Sequence, residues 1–263
     1  MTSPSARLTV APIWGLAEVA AAGGLLVFML WGVGPRIAAG GSLTLGLFWA
    51  AFALLAVLVA WLSPIILHAD PPALRGWGRS RGARDPGAIL NAWPRYALLT
   101  LIGVAVIVAL AALSDPGFAR HIAWGDAAVK LAVYLVSGTL QDLAVFGFAL
   151  TRLRTALAAG MGPTWPPARA LTTLTIAAIF AAAHAPNWPF AILVFAGGAA
   201  LAWLFWSRPS VLMAGASHAV LGTALYAALK LNMRIGPFYA HPQGHILRHV
   251  LPFMAPIAER IGW

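Results

Sequence analysis

The chain has 263 residues, 61% of them hydrophobic and 9% charged, with a formal net charge of +10. A soluble domain of this size cannot hide so much apolar surface, so the composition calls for lipid as solvent, with room for roughly six to eight spans and no separate soluble domain. The charge comes almost entirely from arginines set between apolar runs, a pattern of cytoplasmic loops and anionic lipid contact that argues against nucleic-acid binding, and the absence of cysteine excludes disulfides, thiolate metal sites and a cysteine nucleophile.

In chain order, apolar runs fall near 12–32, 43–67, 96–114, 127–151, 170–186, 190–206 and 210–229. These predict an all-α polytopic membrane protein of about seven transmembrane helices in a single domain over 1–263. Backbone groups in hydrocarbon must be satisfied internally, and the alternation of barrel strands is missing. The first run follows a lone Arg7 with no small-residue cleavage site and reads as a retained span, not a signal peptide. The loop at 68–95 carries Arg75, Arg79, Arg81, Arg84 and Arg95, and the connection 152–169 carries Arg152, Arg154 and Arg169. Both fall on one side, so the positive-inside rule predicts an integral membrane protein with a cytoplasmic N-terminus, the setting of a bacterial inner membrane. The intervening loop, 115–126, balances Arg120 with Asp115 and Asp126.

Pro186 and Pro189 separate the fifth and sixth runs at a tight turn, with Asn187 placed to cap the next helix. Residues 231–263 form a less apolar tail, in which Gly244–Ile257 predicts an interfacial helix with Trp263 at the headgroup level. His241, His245 and His249 recur every four residues there, but Pro242 and Gly244 interrupt the series, and incidental histidines are the simpler reading.

Ionisable groups inside a bilayer cost about 2.5–3.5 kcal/mol each on insertion scales, which makes the deep ones functional candidates. They are Glu18, Asp142, His184 and His218, with Gln141 as a polar neighbour; Lys130 lies near a span end and is expected to snorkel. At a rise of 1.5 Å per residue, Asp142 lies roughly 15 Å from Arg152, His184 roughly 22 Å from Arg169 and His218 roughly 13 Å into its span. That depth is compatible with one shared cavity. Gly215 and Gly222 flank His218 and allow a close helix neighbour. Phe180 and His184, four apart, share a face. One carboxylate and two imidazoles suit either a divalent metal such as zinc or metal-free base and oxyanion chemistry. The plainer alternative is that they bond to one another and fix the bundle. No H-E-x-x-H is present, Asp142 is the only deep aspartate, and Ser217 points about 100° away from its neighbour His218. Glu18, alone on the first span, reads as a structural pairing or a near-interface placement.

At these residues the chain resembles the CPBP group of intramembrane proteases, also called Abi or CAAX-protease-like. That group carries Glu-Glu-x-x-x-Arg, Phe-x-x-x-His and His-x-x-x-Asn on successive core helices. Phe180-Ala-Ala-Ala-His184 matches the second motif in full, and His218-Ala-Val-Leu-Gly222 keeps the histidine of the third. The first is represented by Gln141-Asp142 followed by Phe146-Gly147. The resemblance covers about 127–229, the last four spans, as a CPBP-like core. It implies an intramembrane metalloendopeptidase, a hydrolase acting on a membrane-associated protein or peptide. The implied catalytic set is Gln141 and Asp142 in the glutamate positions with His184 and His218. Asp142, His184 and His218 would be metal ligands for a divalent ion such as zinc, and Phe180 and Gly222 would line the substrate side. The alternatives are a catalytically inactive family member that binds a peptide or membrane-protein partner, and a small transporter that uses the polar cluster as an ion relay.

Overall fold

The structure is a computed structural model that describes residues 11–37, 42–70, 76, 92–161, 166–231, 233, 234, 236–239 and 250–260. Among these residues there is no strand, and six helices are long and apolar enough to cross a membrane. They are α1 (Trp14–Ile37), α2 (Ser42–Leu67), α3 (Trp93–Ser114), α4 (Trp124–Ala159), α6 (Trp188–Ser207) and α7 (Val211–Leu229). Between α4 and α6 lies the shorter α5 (Pro166–Ala182), and a short α8 (Ala255–Arg260) follows the tail's 3-10 turn at Pro252–Met254. All seven apolar runs are therefore helical, but the fifth is a short partner of α6 instead of a seventh long span. Wide exposure of Leu, Ile, Val and Trp around α1, α2 and α3 marks the lipid-facing surface of an integral membrane protein.

Local chemistry accounts for the helix ends. Pro94 and Pro189 sit in the first turns of α3 and α6, where a missing N–H costs nothing. Ser210 caps α7 by accepting a hydrogen bond from the Met213 N–H at 3.3 Å. Asn187 occupies the cap position of α6 as expected, but its side chain makes no capping bond.

Several boundaries differ from the sequence reading, each for a physical reason. The fourth span does not stop at 151, because α4 continues through a wide π-wound segment, Leu143–Leu150, into Thr151–Met161. Arg152 is consequently not a loop residue. It is fully buried and paired with Asp70, whose side chain is also buried. Lys130 does not snorkel: it is buried, with its Nζ 3.9 Å from the ring centroid of Tyr226 and 5.4 Å from that of Tyr134. The fifth helix ends at Ala182, so His184 lies in the turn before α6 and not on the helix. Of the expected interfacial helix at Gly244–Ile257, the described residues show Val250 in helix, the 3-10 turn and the start of α8. Residues 244–249, the three tail histidines, Trp263 and the arginines at 75, 79, 81 and 84 lie outside the described residues.

Three apolar clusters hold the bundle. One joins α1, α2 and the tail through Met29, Val33, Phe48, Phe238 and Val250. A second centres on Tyr96, Phe146, Leu150, Phe205 and Val211. A third holds Ile107, Tyr134, Phe190, Ala219 and Leu225. The second and third are joined across the ionisable residues singled out above, through Phe146 on one side and Phe190 and Tyr134 on the other.

Candidate functional site

α4 and α7 are brought together by small residues. A side chain on Gly215 would collide with the backbone of Thr139, and one on Gly222 would come within 2.7 Å of the Tyr134 ring. Gly138 faces His218 and the Gly215 carbonyl at ordinary contact distance. Close backbone approach of this kind is how transmembrane helices gain packing energy in lipid. Here it sets Asp142, one turn beyond Gly138, opposite His218, three residues beyond Gly215.

Asp142 and His218 form a hydrogen-bonded pair: His218 Nδ1 lies 3.1 Å from Asp142 Oδ1. The aspartate is completely buried, whereas the His218 side chain keeps 18% of its surface exposed. The pair therefore has a closed end and an open end. The second carboxylate oxygen of Asp142, Oδ2, is buried and accepts no hydrogen bond from the described residues. With Asp142 ionised, Nδ1 of His218 carries the hydrogen and Nε2 keeps its lone pair.

His184 reaches the same place from the α5–α6 turn. Its Nδ1–H donates to the Phe180 carbonyl at 2.7 Å, and since a carbonyl only accepts, the neutral ring carries its lone pair on Nε2. Phe180 stands between the two imidazoles, edge-to-face with His184 at 5.0 Å and with His218 at 5.5 Å between centroids. Phe190 closes the far side of His184 at 5.0 Å. Gly198 of α6 allows Phe180 this position, since a Cβ there would lie 3.3 Å from its ring.

Three of the residues singled out from sequence, Asp142, His184 and His218, thus meet around Phe180. Gln141 does not join them: it is exposed, one helical step away from buried Asp142. At Gly222 the Tyr134 ring packs against the glycine face, so this position carries packing. Ser217 is buried and donates to Thr100 Oγ1 at 2.8 Å, since the Thr100 hydroxyl gives its one hydrogen to the Tyr96 carbonyl at 2.7 Å, which occupies Ser217 away from either imidazole. Glu18 is structurally paired: Ser63 donates to its Oε2, and His68 Nε2 lies 2.8 Å from its Oε1.

The sequence reading missed Tyr134 and the Asp70–Arg152 pair. Tyr134, Gly138 and Asp142 recur every four residues, and that spacing was the available signal for one face of α4. Asp70 and Arg152 are 82 positions apart by their numbers, and nothing local in the sequence links them.

A catalytic zinc takes three protein ligands. Both imidazoles hold the outer-shell bonds such ligands have, one to a carboxylate and one to a carbonyl. Asp142, however, is committed to His218 Nδ1, and among the described residues no three His, Cys, Asp or Glu side chains converge as a metal site. The arrangement therefore does not fit a three-ligand zinc centre, and Asp142, His184 and His218 are not assembled as one ligand set. What it can do is hold an imidazole in one tautomer against a buried carboxylate, with a second lone pair nearby.

Residues 123–224 match the family model described as type II CAAX prenyl endopeptidase Rce1-like, which bears out the resemblance read from the motifs. No curated protein and no solved structure matches the chain.

Proposed function

With residues 123–224 carrying a CAAX-protease-like core as the premise, we propose that this protein is an intramembrane endopeptidase acting on a membrane-associated protein or peptide. The observation that carries the reading is the Asp142–His218 pair, closed at the carboxylate and open at the imidazole, with His184 held beside it. Buried charge in a span is costly, and a pair that orients a neutral imidazole is the arrangement general-base chemistry needs.

In this mechanism His218 Nε2 takes a proton from water as the oxygen attacks the scissile carbonyl carbon. Asp142 holds the resulting imidazolium by the Nδ1–H bond. His184 Nε2 accepts the second hydrogen of the same water and fixes its direction. Collapse of the tetrahedral intermediate breaks the C–N bond, and the imidazolium returns its proton to the leaving amine. The products are a carboxylic acid, which gives its proton to solvent on release, and an amine, and both histidines end as they began. The arginines of 68–95 support a bacterial inner-membrane setting with the N-terminus in the cytoplasm.

The test is cleavage of a lipid-anchored peptide library by the purified protein in proteoliposomes, read by mass spectrometry. Wild type is expected to yield new termini, with loss in His218→Ala and in His184→Ala. Retained cleavage in both variants would overturn the assignment. The second reading, an inactive family member that binds a peptide or membrane-protein partner, is favoured by two observations: Gln141 is exposed, and Tyr134 packs against Gly222. It expects library peptides to be retained on the wild-type protein without new termini.

A further inference from the structure

We infer that the corner formed by Arg154, Arg169 and the α6–α7 turn is a binding site for the phosphate of an anionic phospholipid headgroup. Arg154 stands on the C-terminal extension of α4 and Arg169 in the first turns of α5, and both reach the C-terminal end of α6. The Arg154 guanidinium lies 4.5 Å from the Trp206 ring centroid and donates to the Trp206 carbonyl at 3.1 Å. That of Arg169 lies 3.6 Å from the Trp203 ring centroid and donates to the Trp203 carbonyl at 2.7 Å. Each ring and carbonyl fixes its arginine in one orientation and uses one of five N–H donors, leaving a fork suited to phosphate.

Charge is the second argument. The two guanidinium groups are close enough to act on each other electrostatically, and neither has an acidic partner among the described residues. Arg169 Nε is buried without a hydrogen-bond acceptor there. Exposed Arg208 adds a third positive charge in the turn after α6. The carboxyl end of α6 contributes about half a negative charge, too little to balance them. A phosphate supplies the missing charge.

Position decides the source of that phosphate. Trp203 is about half exposed beside apolar helix surface, the environment of an indole at the headgroup level. The α6–α7 turn also meets Gly76, whose carbonyl accepts from the Val211 N–H at 3.2 Å. Gly76 holds a left-handed φ of +80°, and a Cβ there would collide with Phe205 and Val211, so only glycine fits at this contact. A membrane surface meets all these groups together; a soluble phosphate meets only the guanidinium fork.

The experiment is native mass spectrometry of the full chain released from micelles holding equal phosphatidylglycerol and phosphatidylcholine of matched acyl length. Wild type is expected to retain phosphatidylglycerol preferentially. The preference should fall roughly tenfold or more in Arg154→Gln/Arg169→Gln and fall less, without vanishing, in Arg154→Lys/Arg169→Lys, which keeps the charge but loses the fork. Arg120→Gln, in the loop after α3, should leave it unchanged. Equal retention of the two lipids by wild type, or undiminished preference in a folded Gln variant, would overturn the proposal. Thermal unfolding of wild type gives a readout independent of those variants. Phosphatidylglycerol should raise its midpoint above that in phosphatidylcholine, while glycerol phosphate at equal concentration should not. Equal stabilisation by glycerol phosphate would overturn the lipid as source.

Discussion

Gly222→Ala is the substitution whose cost follows most directly from the geometry. The added Cβ would lie 2.7 Å from Tyr134 Cε2 and 2.8 Å from Cδ2. Carbon contacts relax only near 3.5–4.0 Å, so ring or helix must give way by about 0.7–1.3 Å. Tyr134 has little freedom to do so, since it is buried and Lys130 stands 5.4 Å over its ring. Overpacking of this kind costs about 1–3 kcal/mol. The assay is thermal unfolding in detergent by tryptophan fluorescence, for Gly222→Ala, Tyr134→Ala and the double variant. Because the two residues touch, the double variant should be more stable than the sum of the single losses predicts, with coupling of about 0.5–3 kcal/mol. It follows that Gly222→Asn alone would not rebuild the family's third motif, and that Tyr134 must be shortened with it. A Gly222→Ala protein as stable as wild type, or strict additivity, would mean that Tyr134 does not occupy the Gly222 face.

Three further outcomes are expected. Arg152→Ala should destabilise by about 3–5 kcal/mol, because it strands the buried Asp70 carboxylate, and Asp70→Asn should recover part of the loss; unfolding midpoints of the three proteins check this. Tyr226→Leu should cost about 2 kcal/mol by removing the ring nearest the buried Lys130 ammonium, and Lys130→Met in that background should recover it, read by the same assay. In the loop after α3, the His121 hydrogen bond, and after it the Gly117 N–H, hold the Asp115 carboxyl below the usual carboxylate range. What this pair contributes is present above the unfolded pKa of about 3.9 and lost as pH falls through the depressed folded value; the carbon-13 shift of the Asp115 carboxyl should titrate nearer the ordinary range in His121→Ala.

How much was legible in the sequence depends on the range over which each feature is encoded. Helix positions and the depth of Asp142, His184 and His218 follow from runs of apolar residues and a fixed rise, and the three do meet around Phe180. The α4–α7 seam was half legible: Gly215 and Gly222 announce a close neighbour, but not that Tyr134 is the group received. The span end assigned at 151 failed because a buried arginine looks, in sequence, like a loop arginine. Only its partner Asp70, on the far side of the bundle in sequence, makes Arg152 tolerable inside. Lys130 was misplaced for the same reason, since its tyrosine rings come from two helices. The metal-ligand set followed from the family resemblance, with metal-free chemistry left open beside it, and the hydrogen bond that commits Asp142 to His218 exists only once α4 and α7 have packed.

In the proposed mechanism Asp142 acts on water through His218. Its most direct test is a double-mutant cycle on peptide cleavage in proteoliposomes, measuring kcat/KM for wild type, Asp142→Asn, His218→Ala and the pair. Orienting carboxylates of catalytic histidines contribute about 10⁴-fold in other hydrolases, so each single variant should lose most of the activity, and the double variant should lose no more than His218→Ala alone. Losses that multiply, or an Asp142→Asn protein that cleaves like wild type, would contradict the account.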